Sequence, residues 1–263
     1  MKFAKVLLFV FPVLLFAFMV AYIAPRQEHP MPEQTAVESP KPQQSNNSQQ
    51  QSNRQPQKQT QQEQVIDSEL SDSNIFEYPF AGTSYLYVVF EVKNTGNVSI
   101  ELDTGDFCLY DAAGNLLDVV GLSQPYPHII KPGEVAYYAE SIANNYAEPI
   151  SSVELQRKAS KTTEKCRYLD VSNATLVSKD SGILKGALTI KNNSGRLASS
   201  IRSCFVLRDQ SGKLVAILTG WDYEELQNGS SFSTTVDDLT LSVEDLQEAG
   251  FTDLTIEAFA FTK

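Results

Sequence analysis

The stretch Phe107-Cys108-Leu109-Tyr110-Asp111-Ala112-Ala113-Gly114-Asn115-Leu116 returns as Phe205-Val206-Leu207-Arg208-Asp209-Gln210-Ser211-Gly212-Lys213-Leu214, an offset of 98 residues. The same offset upstream sets Val88, Phe90, Val92, Lys93 and Asn94 against Gly186, Leu188, Ile190, Lys191 and Asn192. An ungapped correspondence of this length means one structural unit used twice. Each copy must therefore fold into the same small architecture.

The repeated unit reads as a β-hairpin. Phe107 and Leu109 alternate with Cys108 and Tyr110, so on a strand the first pair faces the core and the second faces away. Asp111 opens a turn, because its carboxylate can accept from backbone two residues on, and Gly114 supplies the left-handed fourth position. Phe205, Leu207, Asp209 and Gly212 repeat the scheme. Both aspartates are thus assigned to turn chemistry rather than catalysis.

The residues Phe107-x-Leu109-Tyr110-Asp111 follow a strand that ends Val92-Lys93-Asn94-Thr95-Gly96 and precede Lys131-Pro132-Gly133-Glu134. This arrangement resembles the FxLYD domain of bacterial cell-envelope proteins. The second copy departs from the pattern, with Arg208 in place of the tyrosine and Asn228-Gly229-Ser230 in place of Pro-Gly-Glu. The resemblance covers most of residues 75–263. It implies immunoglobulin-like β-sandwich modules, often tethered to a membrane, with no activity attached and no catalytic residue to carry over.

Length allows an anchor and two modules of about 100 residues each, a common sandwich size. Lys2 and Lys5 precede an uncharged run over residues 6–24, long enough to span about 30 Å of hydrocarbon as a helix. The positions before Ala24 and Ala21 suit a signal peptidase poorly. The expectation is therefore a retained single-pass anchor, with the N-terminus cytoplasmic and the remainder outside the cell membrane. Residues 27–66 turn abruptly to Gln, Pro, Ser and Asn, a composition that cannot bury enough apolar surface to order itself. The predicted organisation is a cytoplasmic tip and transmembrane helix over 1–26, a disordered stalk over 27–66, and FxLYD-like β-sandwiches over 67–160 and 161–263.

In the first module Leu86, Val88, Phe90 and Val92 point one way, and Tyr85, Tyr87, Val89, Glu91 and Lys93 the other. A turn at Asn94–Asn97, a short strand, the hairpin, a strand from Val135 to Tyr138 and a last strand near Val153–Gln156 follow at sandwich spacing. A small barrel fits the same spacing. Arg157 to Lys165 read as a link rich in Lys, Ser and Thr. In the second module Leu184, Gly186, Leu188 and Ile190 repeat the inner face. Ser242 to Gly250 carries a helix signature of at most two turns, with Ser242 and Asp245 forming a capping box. Leu254, Ile256, Ala258 and Ala260 then mark the final strand.

Charge and motifs act mainly by exclusion. The chain carries net −11; the residues up to Ile66 hold six Lys or Arg and four Asp or Glu, which leaves 15 basic against 28 acidic beyond them. Such a surface has no basic footprint for nucleic acid. Three cysteines make no framework, although Cys166 and Cys204 share a module and could pair in an oxidising compartment. His29 falls in the stalk and leaves His128 alone, read as a loop residue. Asp103, Asp106, Asp111 and Asp118 miss the spacing of a calcium loop. No nucleotide-binding or serine-hydrolase signature occurs, so no cofactor and no metal are expected.

What remains is aromatic: Trp221 and Tyr223 in Gly220-Trp221-Asp222-Tyr223, and Tyr126 at a similar place in the first module. Large aromatics at a sandwich edge suit sugar or peptide binding. The expected function is a non-enzymatic binding or scaffold protein that makes protein–protein contacts at the cell envelope, through open strand edges or these aromatics. The alternative is a wall-glycan binder using Trp221, Tyr223 and Tyr126, and a carboxylate-dependent hydrolase ranks third.

Overall fold

The computed structural model describes residues 63–177 and 182–263. The expected anchor, and the expected stalk as far as residue 62, lie outside the described residues. Among the described residues no helix is long and apolar enough to cross a membrane. The described residues are nearly all β. Strands β1 (Ser68–Phe80), β2 (Thr83–Asn94), β3 (Ile100–Leu102), β4 (Asp106–Tyr110), β5 (Leu116–Gly121), β6 (Ile129–Ile130), β7 (Val135–Ala143), β8 (Ser152–Gln156) and β9 (Ala159–Lys161) make the first half. The second half holds β10 (Arg167–Leu176), β11 (Ile183–Lys191), β12 (Ile201–Arg208), β13 (Leu214–Asp222), β14 (Ser231–Ser242), helix α1 (Val243–Glu248) and β15 (Thr255–Thr262).

Among the described residues all strand pairings are antiparallel. The first half pairs β1-β2-β7 in one sheet, and faces it with β6-β3-β9 and β5-β4-β8. The second half runs β13-β12-β15-β10-β11-β14, in which β10 pairs with β15 through its first residues and with β11 through its last, turning from one layer to the next. Sheets stacked face to face fit the apolar alternation of their strands.

The duplication is visible bond by bond. Asn94 and Asn192, 98 residues apart, are both buried. Asn94 Nδ2 donates to the Val98 and Ile130 carbonyls, and Asn192 Nδ2 to those of Arg196 and Leu226. Their backbones accept from Gly133 and Gly229 respectively, and their Oδ1 atoms from Gly96 and Ser194. Each asparagine thus pins two loops to the end of a strand, and a buried amide satisfied at every atom tolerates little change. The hairpin turns match as well. Asp111 Oδ1 accepts from the Ala113 and Asn115 amides, Asp209 Oδ1 from those of Ser211 and Lys213, and Gly114 and Gly212 sit at φ of 81° and 84°. Both hairpins carry a register shift at the same step, between Leu109 and Tyr110 and between Leu207 and Arg208.

Phe107, Leu109, Phe205 and Leu207 are fully buried, as their alternation requires. Gly186 stands where the first copy has Val88, and a Cβ there would lie 2.8 Å from the Phe205 ring, so the larger residue is excluded. Helix α1 forms where its cap predicts: the Asp245 amide donates to Ser242 Oγ at 3.0 Å and the Ser242 amide to Asp245 Oδ2 at 2.8 Å.

Three expectations need correction. The link over Arg157–Lys165 contains β9, which pairs with β3; its Ala-Ser-Lys sequence is that of a polar sheet edge and carries no alternation to read. Residues 63–66, expected in the stalk, already bond to the fold, since Val65 donates to Asn97 Oδ1 and Asn97 Nδ2 donates to the Glu63 carbonyl. The side of β2 expected to face away is buried too. Tyr87 and Val89 join Phe76, Tyr78 and Tyr137 in one apolar core with Cys204, Val206, Val215 and Ile217 of the second half. The other side of β2, with Val88, Phe90 and Val92, packs on Ile100, Leu102, Phe107 and Leu109 in a separate core. The sheet β1-β2-β7 is therefore covered on both faces, which explains the nearly unbroken apolar run from Leu86 to Phe90.

Candidate functional site

The interface between the halves is built on β12. Its residues Phe205 and Leu207 point into the second half, which sends Arg202, Cys204, Val206 and Arg208 toward the first. Directly across on β13 lie Trp221 opposite Arg202, Thr219 opposite Cys204 and Ile217 opposite Val206. The centre of this face is apolar, with an arginine at each end.

At one end Arg208 is a clamp. Its guanidinium pairs with Glu91, lies 3.6 Å from Asp72 and 3.7 Å from Glu257, and donates to the Tyr137 hydroxyl. Burial raises the Glu91 carboxyl, but the Ser71 hydroxyl and Arg208 outweigh it and hold Glu91 below its ordinary value. The departure of Arg208 from the tyrosine of the first copy thus has a structural cause: Tyr110 is partly exposed, whereas its counterpart meets acidic residues of the other half. Nearby, the Tyr87 hydroxyl donates to the Ile217 carbonyl at 2.9 Å and accepts from its amide at 3.2 Å. That satisfies backbone on the outer edge of β13, which ends its sheet.

At the other end Arg202 joins the three aromatics singled out in the sequence. Its guanidinium lies 4.7 Å from the Trp221 ring centre and 5.6 Å from that of Tyr126, within range of cation–π attraction. Arg202 Nη1 also donates to Gln124 Oε1 at 3.1 Å. Tyr223 stacks on Trp221 with ring centres 5.0 Å apart and planes 18° from parallel. Trp221 is 48% exposed and Tyr223 74% exposed, while Tyr126 is half-buried against Phe261. Tyr126 comes from a loop of the first half and Trp221 from a strand of the second.

Two clefts flank this cluster, and Gln124 lines both. The smaller, about 370 Å³, is walled by His128, Ser199, Ser200, Arg202, Trp221 and Lys263 among others. His128 is 3% exposed, and neither ring nitrogen has a hydrogen-bond partner among the described residues. Burial, aided by Lys263 and Arg202, lowers its pKa, so the ring is neutral at pH 7. The larger cleft, about 470 Å³, holds Glu140, Asp237 and Asp238. Burial raises Glu140, but Asp237 pairs with Lys185 at 3.7 Å and Asp238 accepts from the Thr240 and Leu241 amides. Those two aspartates are engaged locally.

The remaining candidates separate. Cys108, Cys166 and Cys204 are all buried and free. Asp103 accepts from the Lys158 amide, Asp118 from the Tyr146 hydroxyl, and Asp111 serves its turn. Among the described residues no group of three or more His, Cys, Asp or Glu could hold a metal ion. Sequence reasoning missed Arg202 and set His128 aside as a loop residue. The available signal was the alternation Arg202, Cys204, Val206, Arg208 on the supposedly outer side of β12. The chain matches no protein-family model, and no curated protein is recognisably similar to it.

Proposed function

We propose that this protein is a membrane-anchored, extracytoplasmic binding or scaffold protein of the bacterial cell envelope, not an enzyme. In this reading two tandem immunoglobulin-like modules of the FxLYD kind present a docking surface for a protein partner. The observation that carries it is the Arg202–Trp221–Tyr223 cluster, half-exposed at the junction of the two halves. Trp, Tyr and Arg are the residues most often found at interface hot spots, and here they are preorganised by stacking, so little side-chain entropy remains to be lost on docking. A secondary contact is open strand β5, which ends its sheet and exposes Leu116 and Val119.

Wall glycan is the second reading, favoured by the outer ring of Tyr223. It ranks lower because Arg202 and Tyr223 both lie against Trp221, which leaves the indole less free to stack on a sugar. The test is co-sedimentation of the full chain with isolated wall sacculi, run beside photo-crosslinking from the exposed neighbouring position 224 in intact cells. The expected result is no sedimentation, with crosslinks to one discrete envelope protein that disappear in Trp221→Ala. Sedimentation abolished by Tyr223→Ala would replace the partner reading with the glycan one.

A further inference from the structure

We propose that the cleft beside Arg202 binds a carboxylate that has a hydrogen-bond donor next to it, as an acidic residue of a peptide does. This deepens the reading above, since Arg202 and Trp221 belong to both, and the experiment lets either fail alone.

The first observation is the company Arg202 keeps. Beyond Ile66 the chain has 28 acidic residues to 15 basic ones, yet among the described residues Arg202 makes no ion pair. It is held instead by two aromatic rings and the Gln124 amide oxygen. Aromatic faces fix a guanidinium without neutralising it, and its planar fork matches the two oxygens of a carboxylate. The twin position at the far end of the interface shows the contrast, because Arg208 is surrounded by carboxylates.

The second observation is His128. A buried side chain with both polar atoms unpartnered is rare in a folded protein. A neutral imidazole has one nitrogen that donates and one that accepts, so a ligand offering both an acceptor and a donor matches it in either tautomer. A carboxylate beside an amide N–H offers both. The cleft adds the hydroxyls of Ser199 and Ser200, the latter at φ 50°, a left-handed conformation unusual for serine. Trp221 supplies an apolar wall for the ligand's carbon stem.

The charge count selects the anion. The other cation of the cleft, Lys263, pairs with Glu164 at 3.1 Å, which among the described residues leaves Arg202 as its uncommitted positive charge. One free guanidinium and a neutral imidazole balance a monoanion; a phosphate dianion would carry a surplus negative charge into an acidic protein. About 370 Å³ holds one side chain with its flanking peptide groups rather than an extended chain.

The experiment is calorimetric titration of the full chain in detergent micelles with N-acetyl-aspartate N-methylamide, its asparagine counterpart and inorganic phosphate. Expected is saturable binding of the aspartate probe, with the asparagine probe and phosphate each weaker by at least about tenfold. Arg202→Lys keeps charge and stem but loses the fork, and should weaken the aspartate probe by at least about tenfold while thermal melting is unchanged. Tyr223→Ala should leave this binding intact even where it abolishes capture of a partner. No saturable binding up to about 10 mM, equal affinity for phosphate, or a loss in Tyr223→Ala as large as in Arg202→Lys would each overturn the assignment.

Discussion

At the scale of single residues, the two arginines of β12 are the positions where this chain departs most usefully from its own repeat. Arg208→Ala leaves Glu91 and Asp72 partly buried without their cation, and should lower unfolding stability by about 3 kcal/mol in urea titration. Gly186→Ala should cost roughly 1–3 kcal/mol, because the added methyl meets the Phe205 ring and neither strand can retreat. Two titrating groups shape the pH dependence. His128 has a native pKa below its ordinary 6.5, so its contribution to stability is present above about 6.5 and fades as pH falls through the native value. Glu91 is held below its ordinary 4.5, and its contribution is lost in the same direction but only under more acid conditions. Urea titrations from pH 8 to about pH 3 should show both limbs. His128→Gln should flatten only the first.

At the scale of elements, the hairpins, the Asp–Gly turn chemistry and the capped helix were legible because each carries its cause in a few neighbouring residues. Ser242→Ala should cost about 1 kcal/mol through loss of the cap, read as a shift in the denaturation midpoint. Strands β9, β10 and β14 were not legible. Their sequences, such as Ser231-Phe232-Ser233-Thr234-Thr235, are largely polar, and what makes them strands is a partner far along the chain. The same reason hid the second faces of β2, β12 and β15. Alternation tells which residues share a side, but it does not tell what covers that side. Tyr87, Cys204 and Phe259 looked outward only while the opposite half was out of sight. Of the candidate site, Trp221, Tyr223 and Tyr126 were readable as large aromatics, whereas Arg202 and His128 acquire meaning only from residues of the opposite half.

At the scale of the whole molecule, the described residues fall within one compact unit, and the apolar interface makes the halves mutually dependent. Phe107→Ala and Phe205→Ala should each destabilise by about 3–5 kcal/mol. Because Tyr87, Val89 and Tyr137 share a core with Val206 and Ile217, calorimetry should show a single transition displaced by either substitution. Two transitions, with one displaced per variant, would mean that the interface contributes little. The buried contact also bears on heredity. A repeat whose copies touch only through a linker can be lost, multiplied or shuffled into other genes. Here one copy has become part of the other's interior, and Arg208 has specialised for its twin. Excising either would strand an apolar sheet face in water and part Arg208 from Asp72 and Glu91, so the pair is inherited as a single indivisible piece.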